Sequence, residues 1–93
     1  MGSIVDRLLK GESPELRLGI QQEKLILDGS TEIHVAMCEQ KVTRAQLMQR
    51  LGVDRHELRR LIDGNDDITL RELATVLHAL GREARFSVKP IAP

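Results

Sequence analysis

The stretch LGVDRHELRRLIDG, residues 51–64, predicts a tight turn that leads from the end of one helix into the start of the next. Gly52 stands where the first helix should end, because glycine tolerates the left-handed backbone of a helix C-terminus. Asp54 stands where the second should begin, since its side-chain oxygen can accept a hydrogen bond from a free backbone N–H. Gly64 marks the end of this second helix. Only Gly52 and Val53 therefore join the two helices.

Three capping boxes place helix starts within residues 43–81. A capping box pairs an N-cap acceptor with a Glu or Gln three residues later, whose side chain reaches back to the N-cap N–H. The three pairs are Thr43 with Gln46, Asp54 with Glu57, and Thr69 with Glu72. Apolar residues at helical spacing follow each pair, and Gly52, Gly64 and Gly81 stand at the expected helix ends. The apolar positions are Leu47, Met48, Leu51, Leu58, Leu61, Ile62, Leu73, Val76, Leu77 and Leu80.

The first 40 residues are also predicted to be mostly helical. A short helix is expected at 4–9, and Ser13-Pro14 has the form of a helix start, because proline is accepted at the first helical position. From there the helical pattern reaches Gln40, interrupted only by Asp28-Gly29-Ser30. A glycine inside a helix costs about 1 kcal/mol relative to alanine, so either one helix passes through a weak point or two helices meet there. Ile33 and Met37 should face the core.

Composition bounds the fold and its surroundings. Ninety-three residues suit one small domain, and Phe86 is the only aromatic residue, so the core must be aliphatic. Cys38 is the only cysteine, which excludes an internal disulfide and predicts a buried, inert thiol. No apolar run approaches membrane-spanning length and no secretory pattern opens the chain, so a cytoplasmic protein is expected.

After Gly81 the apolar period changes to that of a strand. Phe86 and Val88 alternate with Arg85, Ser87 and Lys89, and Pro90 ends the pattern. A lone strand has unpaired backbone groups on both edges. It must pair with the same strand of a second copy, accept a partner's strand, or lie irregularly on the helices. Pairing with a second copy is favoured and gives a two-fold dimer whose strand contains Arg85, Phe86, Ser87 and Val88.

The segment VTRAQLMQRLGVDRHELRRLIDGNDDITLRELATVLHALG, residues 42–81, resembles the Cro/lambda-repressor-like (XRE) helix-turn-helix family. The resemblance is carried by Leu47, Leu51-Gly52-Val53, Leu58, Leu61, Gly64 and TLRELATVLHALG. The continuation REARFSVKP is similar to small HigA-type antitoxins of this family. The family usually has a small residue at the position of Met48, so a slightly altered helix crossing is expected.

This resemblance implies a mainly α fold, a compact domain of four to five helices like that of lambda repressor, with a short C-terminal β-strand. Residues 1–19 would be an N-terminal extension, residues 20–81 the helix-turn-helix domain with its motif at 43–63, and residues 82–93 the strand and tail. The implied function is a sequence-specific transcriptional regulator, a repressor that binds a near-palindromic double-stranded DNA operator as a homodimer. It would also fit the antitoxin of a toxin–antitoxin pair that regulates its own operon.

The resemblance also implies which residues touch DNA. Base reading falls to the exposed start of the second motif helix, at Arg55, His56 and Arg59. Arginine can grip the O6 and N7 of guanine with two hydrogen bonds. Phosphate contacts are expected from Thr43, Arg44, Gln46, Arg60 and Asn65. No cofactor, metal site or catalytic arrangement is expected, since the chain has no matching residue pattern.

Charge is unevenly distributed in a chain of zero net charge. Residues 41–65 hold six basic and three acidic residues, whereas residues 1–40 hold four basic and seven acidic ones. The basic surface is therefore expected around the motif, and the acidic first third, with the strand, could bind a small basic toxin. Zero net charge and the carboxylates of Asp54 and Glu57 leave open a protein-interaction module without DNA binding. A phage-type repressor is the other alternative, because only the neighbouring genes distinguish it from an antitoxin.

Overall fold

The computed structural model describes residues 14–65 and 67–91, and these residues form four α-helices. We label them α1 (Pro14–Gln40), α2 (Arg44–Leu51), α3 (Arg55–Ile62) and α4 (Leu70–Ala79). The prediction of a small, mainly α domain is confirmed. The short helix predicted at 4–9 lies outside the described residues.

Helix α1 is a single helix through Asp28-Gly29-Ser30, where the sequence allowed either one helix or two. The described helix, Pro14–Gln40, has no break. A Cβ atom placed on Gly29 would meet only the Leu73 side chain, at an ordinary contact distance of 3.9 Å. No close approach therefore requires glycine at this position, which is a tolerated weak point inside one helix. The division predicted between residues 19 and 20 falls inside α1.

The predicted starts of the three shorter helices are confirmed, with one correction. Thr43 and Thr69 each form a complete capping box with the residue three positions later. At Asp54 only half of the box is present: the Asp54 side chain accepts from the Glu57 backbone N–H, but the Asp54 backbone N–H donates no bond to the Glu57 side chain. The Glu57 carboxylate binds Arg60 instead. The three predicted end glycines, Gly52, Gly64 and Gly81, all have positive φ angles.

The core is a single cluster of aliphatic side chains drawn from all four helices. Ile33 and Met37 belong to it, as predicted, and Phe86 stays outside with 71% of its surface exposed. Cys38 is exposed, so the prediction of a buried thiol is wrong. The next residue after Met37 is turned by about 100° around the helix, away from the core face that Ile33 and Met37 define. The buried residues are Ile33, Ala36, Met37, Val42, Leu47, Leu58, Leu61, Ile62, Val76, Leu77 and Leu80.

Side chains of α1 and α2 bind the carbonyl groups at the ends of α3 and α4. The last carbonyls of a helix have no partner within the helix and need one from elsewhere. Ser30 Oγ donates to the Ile62 carbonyl, and His34 Nε2 lies 2.9 Å from the same oxygen. Gln40 donates to the Leu80 carbonyl, and Arg50 donates to that of Ala79 at 3.0 Å. These bonds fix where α3 and α4 end relative to α1 and α2.

The first half of α1 projects beyond the core. Its buried residues begin only at Ile33, and several apolar side chains before that point, including Leu18 and Leu25, are more than half exposed. None of the described helices combines the length and the apolar character needed to cross a membrane. Within the described residues, the projecting half presents an exposed apolar and charged surface.

Residues 82–91 contain neither helix nor strand and pass beside α1. Arg82 pairs with Glu39 at 2.8 Å near the end of α1, and Ile91 shares a shallow groove with Leu18 nearer its start. The strand predicted at 84–89 stays a prediction, because its pairing requires a second chain.

Truncating a core leucine should cost far more stability than the same change at the surface. Leu47 is fully buried, whereas Leu70 at the start of α4 is 61% exposed. We expect Leu47→Ala to lower the free energy of unfolding by about 2–5 kcal/mol, because it removes buried methyl groups and leaves a cavity. Leu70→Ala should change it by less than about 1 kcal/mol. Urea denaturation followed by circular dichroism measures both, and equal losses would contradict this core assignment.

Candidate nucleic-acid interface

The turn between α2 and α3 is built from backbone geometry that the sequence favours. Gly52 has φ 69° and donates its N–H to the Met48 carbonyl at 2.8 Å. The N–H of Val53 reaches the same carbonyl at 3.2 Å. Asp54 then starts α3 by capping the Glu57 N–H at 2.8 Å. The chain therefore changes direction within three residues, which sets α3 against α2.

Met48 is accommodated at the contact between these helices. It is partly buried and packs against the aliphatic core beside Leu51 and Val53. A flexible thioether side chain can fill an irregular gap that a small residue would leave open. The slightly altered crossing expected from Met48 stays a prediction.

Helix α3 has one buried face and one exposed face. Leu58, Leu61 and Ile62 lie in the core. Arg55, His56 and Arg59 are exposed on the other side, and 68% of the Arg59 side-chain surface is open to solvent. Within the described part of the chain, Arg55 and His56 have no hydrogen-bonded or ionic side-chain partner. The three residues predicted to read bases are thus brought together on one accessible surface, which we call the α3 outer face.

The start of α2 holds three of the residues predicted to contact phosphate. Thr43 Oγ1 accepts from the Gln46 N–H at 3.1 Å, and Gln46 Oε1 accepts from the Thr43 N–H at 2.8 Å. Both side chains use only acceptor atoms in this box. The hydroxyl hydrogen of Thr43 and the amide NH₂ of Gln46 remain available, and donors are what a phosphate oxygen requires.

Asp63 connects the start of α2 to the α3 outer face. Its carboxylate accepts a hydrogen bond from Arg44 at 2.9 Å, and Arg59 lies 3.8 Å from its second oxygen. His34 approaches the carboxylate to 4.0 Å from α1. Sequence reasoning missed this arrangement. The four-residue spacing of Arg59 and Asp63 was visible, but Arg44 is 19 residues away and only the fold brings it close.

Arg60 differs from the other predicted contacts because two carboxylates hold it. Its guanidinium donates to Glu57 at 2.7 Å and also to Glu72, at the start of α4. It further reaches the Asp67 carbonyl at 3.3 Å. This bridge ties α3 to α4 and leaves the side chain only 31% exposed. Its one sequence clue was the three-residue spacing of Glu57 and Arg60.

The bridge shifts the pKa values of its members. Hydrogen bonds from Arg60 lower the pKa of Glu57 below the ordinary 4.5. They also lower the pKa of Glu72, with a further contribution from its bond to the Thr69 N–H. The pKa of Arg60 is raised in turn by its bonds to Glu57 and Glu72, which favour its charged form.

The last predicted contact, Asn65, is exposed immediately after Gly64 in the loop between α3 and α4. The residues described in this structure contain no group of three or more His, Cys, Asp or Glu side chains placed to hold a metal ion. Comparison of the chain with protein-family models, curated proteins and solved structures finds no match.

The Glu57–Arg60–Glu72 bridge predicts how stability depends on pH. Both carboxyl pKa values are lowered in the folded state, so the bridge contributes stability above pH 4.5, and this contribution is lost as the pH falls through the folded pKa values. Arg60→Gln should therefore be less stable than the wild type near pH 7, and the difference should shrink as the pH falls below 4.5. Thermal denaturation from pH 3 to pH 7 measures it. A difference that does not vary with pH would contradict the bridge.

Proposed function

We propose that α2 and α3 form a helix-turn-helix of the Cro/lambda-repressor type that binds double-stranded DNA in a sequence-specific way. One observation carries this proposal: Arg55, His56 and Arg59 lie side by side on the α3 outer face, while the opposite face of the same helix is locked in the core. A helix held in this way can enter a major groove with its polar side chains toward the bases.

The chemistry of the outer face suits base edges. Arg55 and Arg59 each carry a planar guanidinium that can donate two hydrogen bonds to guanine, a contact worth about 1–3 kcal/mol of discrimination between bases. His56 is exposed on the same helix and can donate to a base or a phosphate. The remaining donors of Thr43 and Gln46, together with the free N–H groups at the start of α2, supply positions for the phosphate backbone.

Carboxylates close to these arginines make the surface more selective for particular DNA sequences. Asp63 neutralises part of the charge of Arg44 and Arg59, and Glu57 with Glu72 neutralises Arg60. Attraction to phosphate is independent of sequence, so lowering it weakens binding to any DNA. Base contacts then account for a larger share of the affinity, as a repressor requires. Arg60 acts in this proposal mainly by fixing α3, and less by contacting phosphate.

The proposed regulator is a homodimer on a near-palindromic operator. Two copies related by a two-fold axis can present two α3 helices about one DNA turn apart. Autorepression of its own operon fits this arrangement.

The test is titration of the DNA upstream of the coding sequence at several salt concentrations, with a scrambled duplex beside it. We expect tighter binding to the upstream duplex, and an Arg55→Ala/Arg59→Ala variant should bind it about 30-fold more weakly or worse, through loss of two base contacts. The control is Arg17→Ala/Lys24→Ala on the projecting half of α1, which removes the same charge from the shallow groove beside Ile91. Equal affinity of the wild type for both duplexes would contradict the proposal.

A second candidate is the antitoxin role, and the projecting half of α1 favours it. Exposed Leu18 and Leu25 lie on a half-helix whose charged residues are three acidic and two basic. This apolar surface with a small acidic excess suits a small basic protein. Co-purification of the product of the adjacent gene, with loss of that product when Leu18 and Leu25 are changed to Ser, tests this role separately from DNA binding. A phenotype that survives Arg55→Ala/Arg59→Ala would favour a protein-interaction module instead.

A further inference from the structure

Within the described chain, the segment after Gly81 has free backbone groups from residue 83 to residue 89. The N–H of Arg82 is already donated to the Leu77 carbonyl at 2.8 Å. Pro90 has no N–H to donate. Between these two limits, residues 83–89 make no backbone hydrogen bond within the described chain, and every residue from 83 to 89 is exposed. Exposed backbone of alternating apolar and polar residues is a template for another strand.

From this geometry we infer that a second copy of the chain docks here, as an antiparallel two-stranded ribbon centred on Phe86. The inference deepens the dimer part of the proposed function, and it does not depend on DNA binding. The free window 83–89 has Phe86 as its midpoint. A two-fold axis through Phe86 is therefore the arrangement that pairs every free residue of one copy with a free residue of the other.

Side-chain chemistry selects the same register. Directly opposite residues of an antiparallel pair point to the same face. With the axis at Phe86, the three apolar residues of each strand share one face, and Glu83 lies opposite Lys89 of the second copy. Opposite charges then pair at both ends, and no like charges face one another. The complete set is Glu83 with Lys89, Ala84 with Val88, Arg85 with Ser87, and Phe86 with Phe86.

Neighbouring registers are worse for identifiable reasons. An axis at Ser87 places Arg85 opposite Lys89, and an axis at Arg85 places Arg85 opposite itself, so like charges meet in both. An axis between two residues puts apolar side chains opposite polar ones, because a one-residue slip exchanges the faces of a strand. Within the described chain, neither Glu83 nor Lys89 has an ion-pair partner, so both charges are free for the second copy.

The surface beside this segment suits the apolar face of the ribbon. Residues 82–87 border a groove of about 660 Å³ between α1 and α4, whose walls include Leu25, Val35 and Leu70. These three side chains are 65%, 41% and 61% exposed in the single chain. Phe86 and Val88 are even more exposed, at 71% and 88%. Placing the ribbon over the two grooves would remove apolar surface of both copies from water.

Charge reversal tests the register. Glu83→Lys and Lys89→Glu each place like charges opposite one another twice per dimer, so we expect the dissociation constant of either homodimer to rise about tenfold or more. Sedimentation equilibrium without DNA measures it, so the result is independent of operator binding. The decisive control is a mixture of the two variants. In their heterodimer, position 83 of each chain faces the opposite charge at position 89 of the other, so both attractive pairs are restored. The double variant Glu83→Lys/Lys89→Glu should restore them in a homodimer.

A cross-link tests the axis itself. In a Cys38→Ser background, Phe86→Cys places two thiols at directly opposite positions, where Cα atoms lie about 4.5–5.5 Å apart and a disulfide can form. Mild oxidation should link this variant, whereas Ser87→Cys in the same background should link poorly. A monomeric wild type, single variants that dimerise like the wild type, a mixture no tighter than its components, or equal cross-linking at 86 and 87 would each overturn the proposal.

Discussion

The burial of one face of α3 is the constraint on which the rest of the structure depends. Leu58 and Ile62 are almost completely enclosed, and the Ile62 carbonyl is bound by Ser30 and approached by His34 from α1. Because this face of α3 is buried, the helical period places Arg55, His56 and Arg59 on the solvent-exposed face. The domain has no aromatic side chain in its core, so the fit of many small aliphatic groups provides this rigidity.

The second organising feature is the division of the arginines by their carboxylates. Arg60 lies between Glu57 and Glu72 and serves the fold, while Arg59 touches Asp63 only at its edge and keeps most of its surface open. A net charge of zero is therefore compatible with a concentrated cationic surface. The acidic residues close to that surface neutralise Arg60, which holds the helices together, more fully than they neutralise the exposed Arg59.

The sequence predicted most of the helical framework because its information is local. The caps at Thr43 and Thr69, the left-handed glycines and the inward leucines all depend on neighbours within one or two turns. The predictions failed where a distant or competing partner determines the contacts of a side chain. The Glu57 side chain does not complete the capping box at Asp54, because it binds the charged Arg60 instead. Cys38 is exposed because its neighbours already occupy the core face of the helix. The contact of Arg44 with Asp63 required the tertiary fold. The C-terminal strand stays a prediction, because a single chain cannot test its proposed pairing with a second copy.

Nuclear magnetic resonance titration of the isotope-labelled protein with its upstream DNA duplex tests the central claim most directly. Backbone amide signals of residues 43–46 and 54–60 should shift on binding, while those of the projecting half of α1 should remain in place. A scrambled duplex should produce smaller shifts at the same residues. No shift with either duplex, or shifts confined to the groove between α1 and α4, would contradict the assignment of the α3 outer face to DNA.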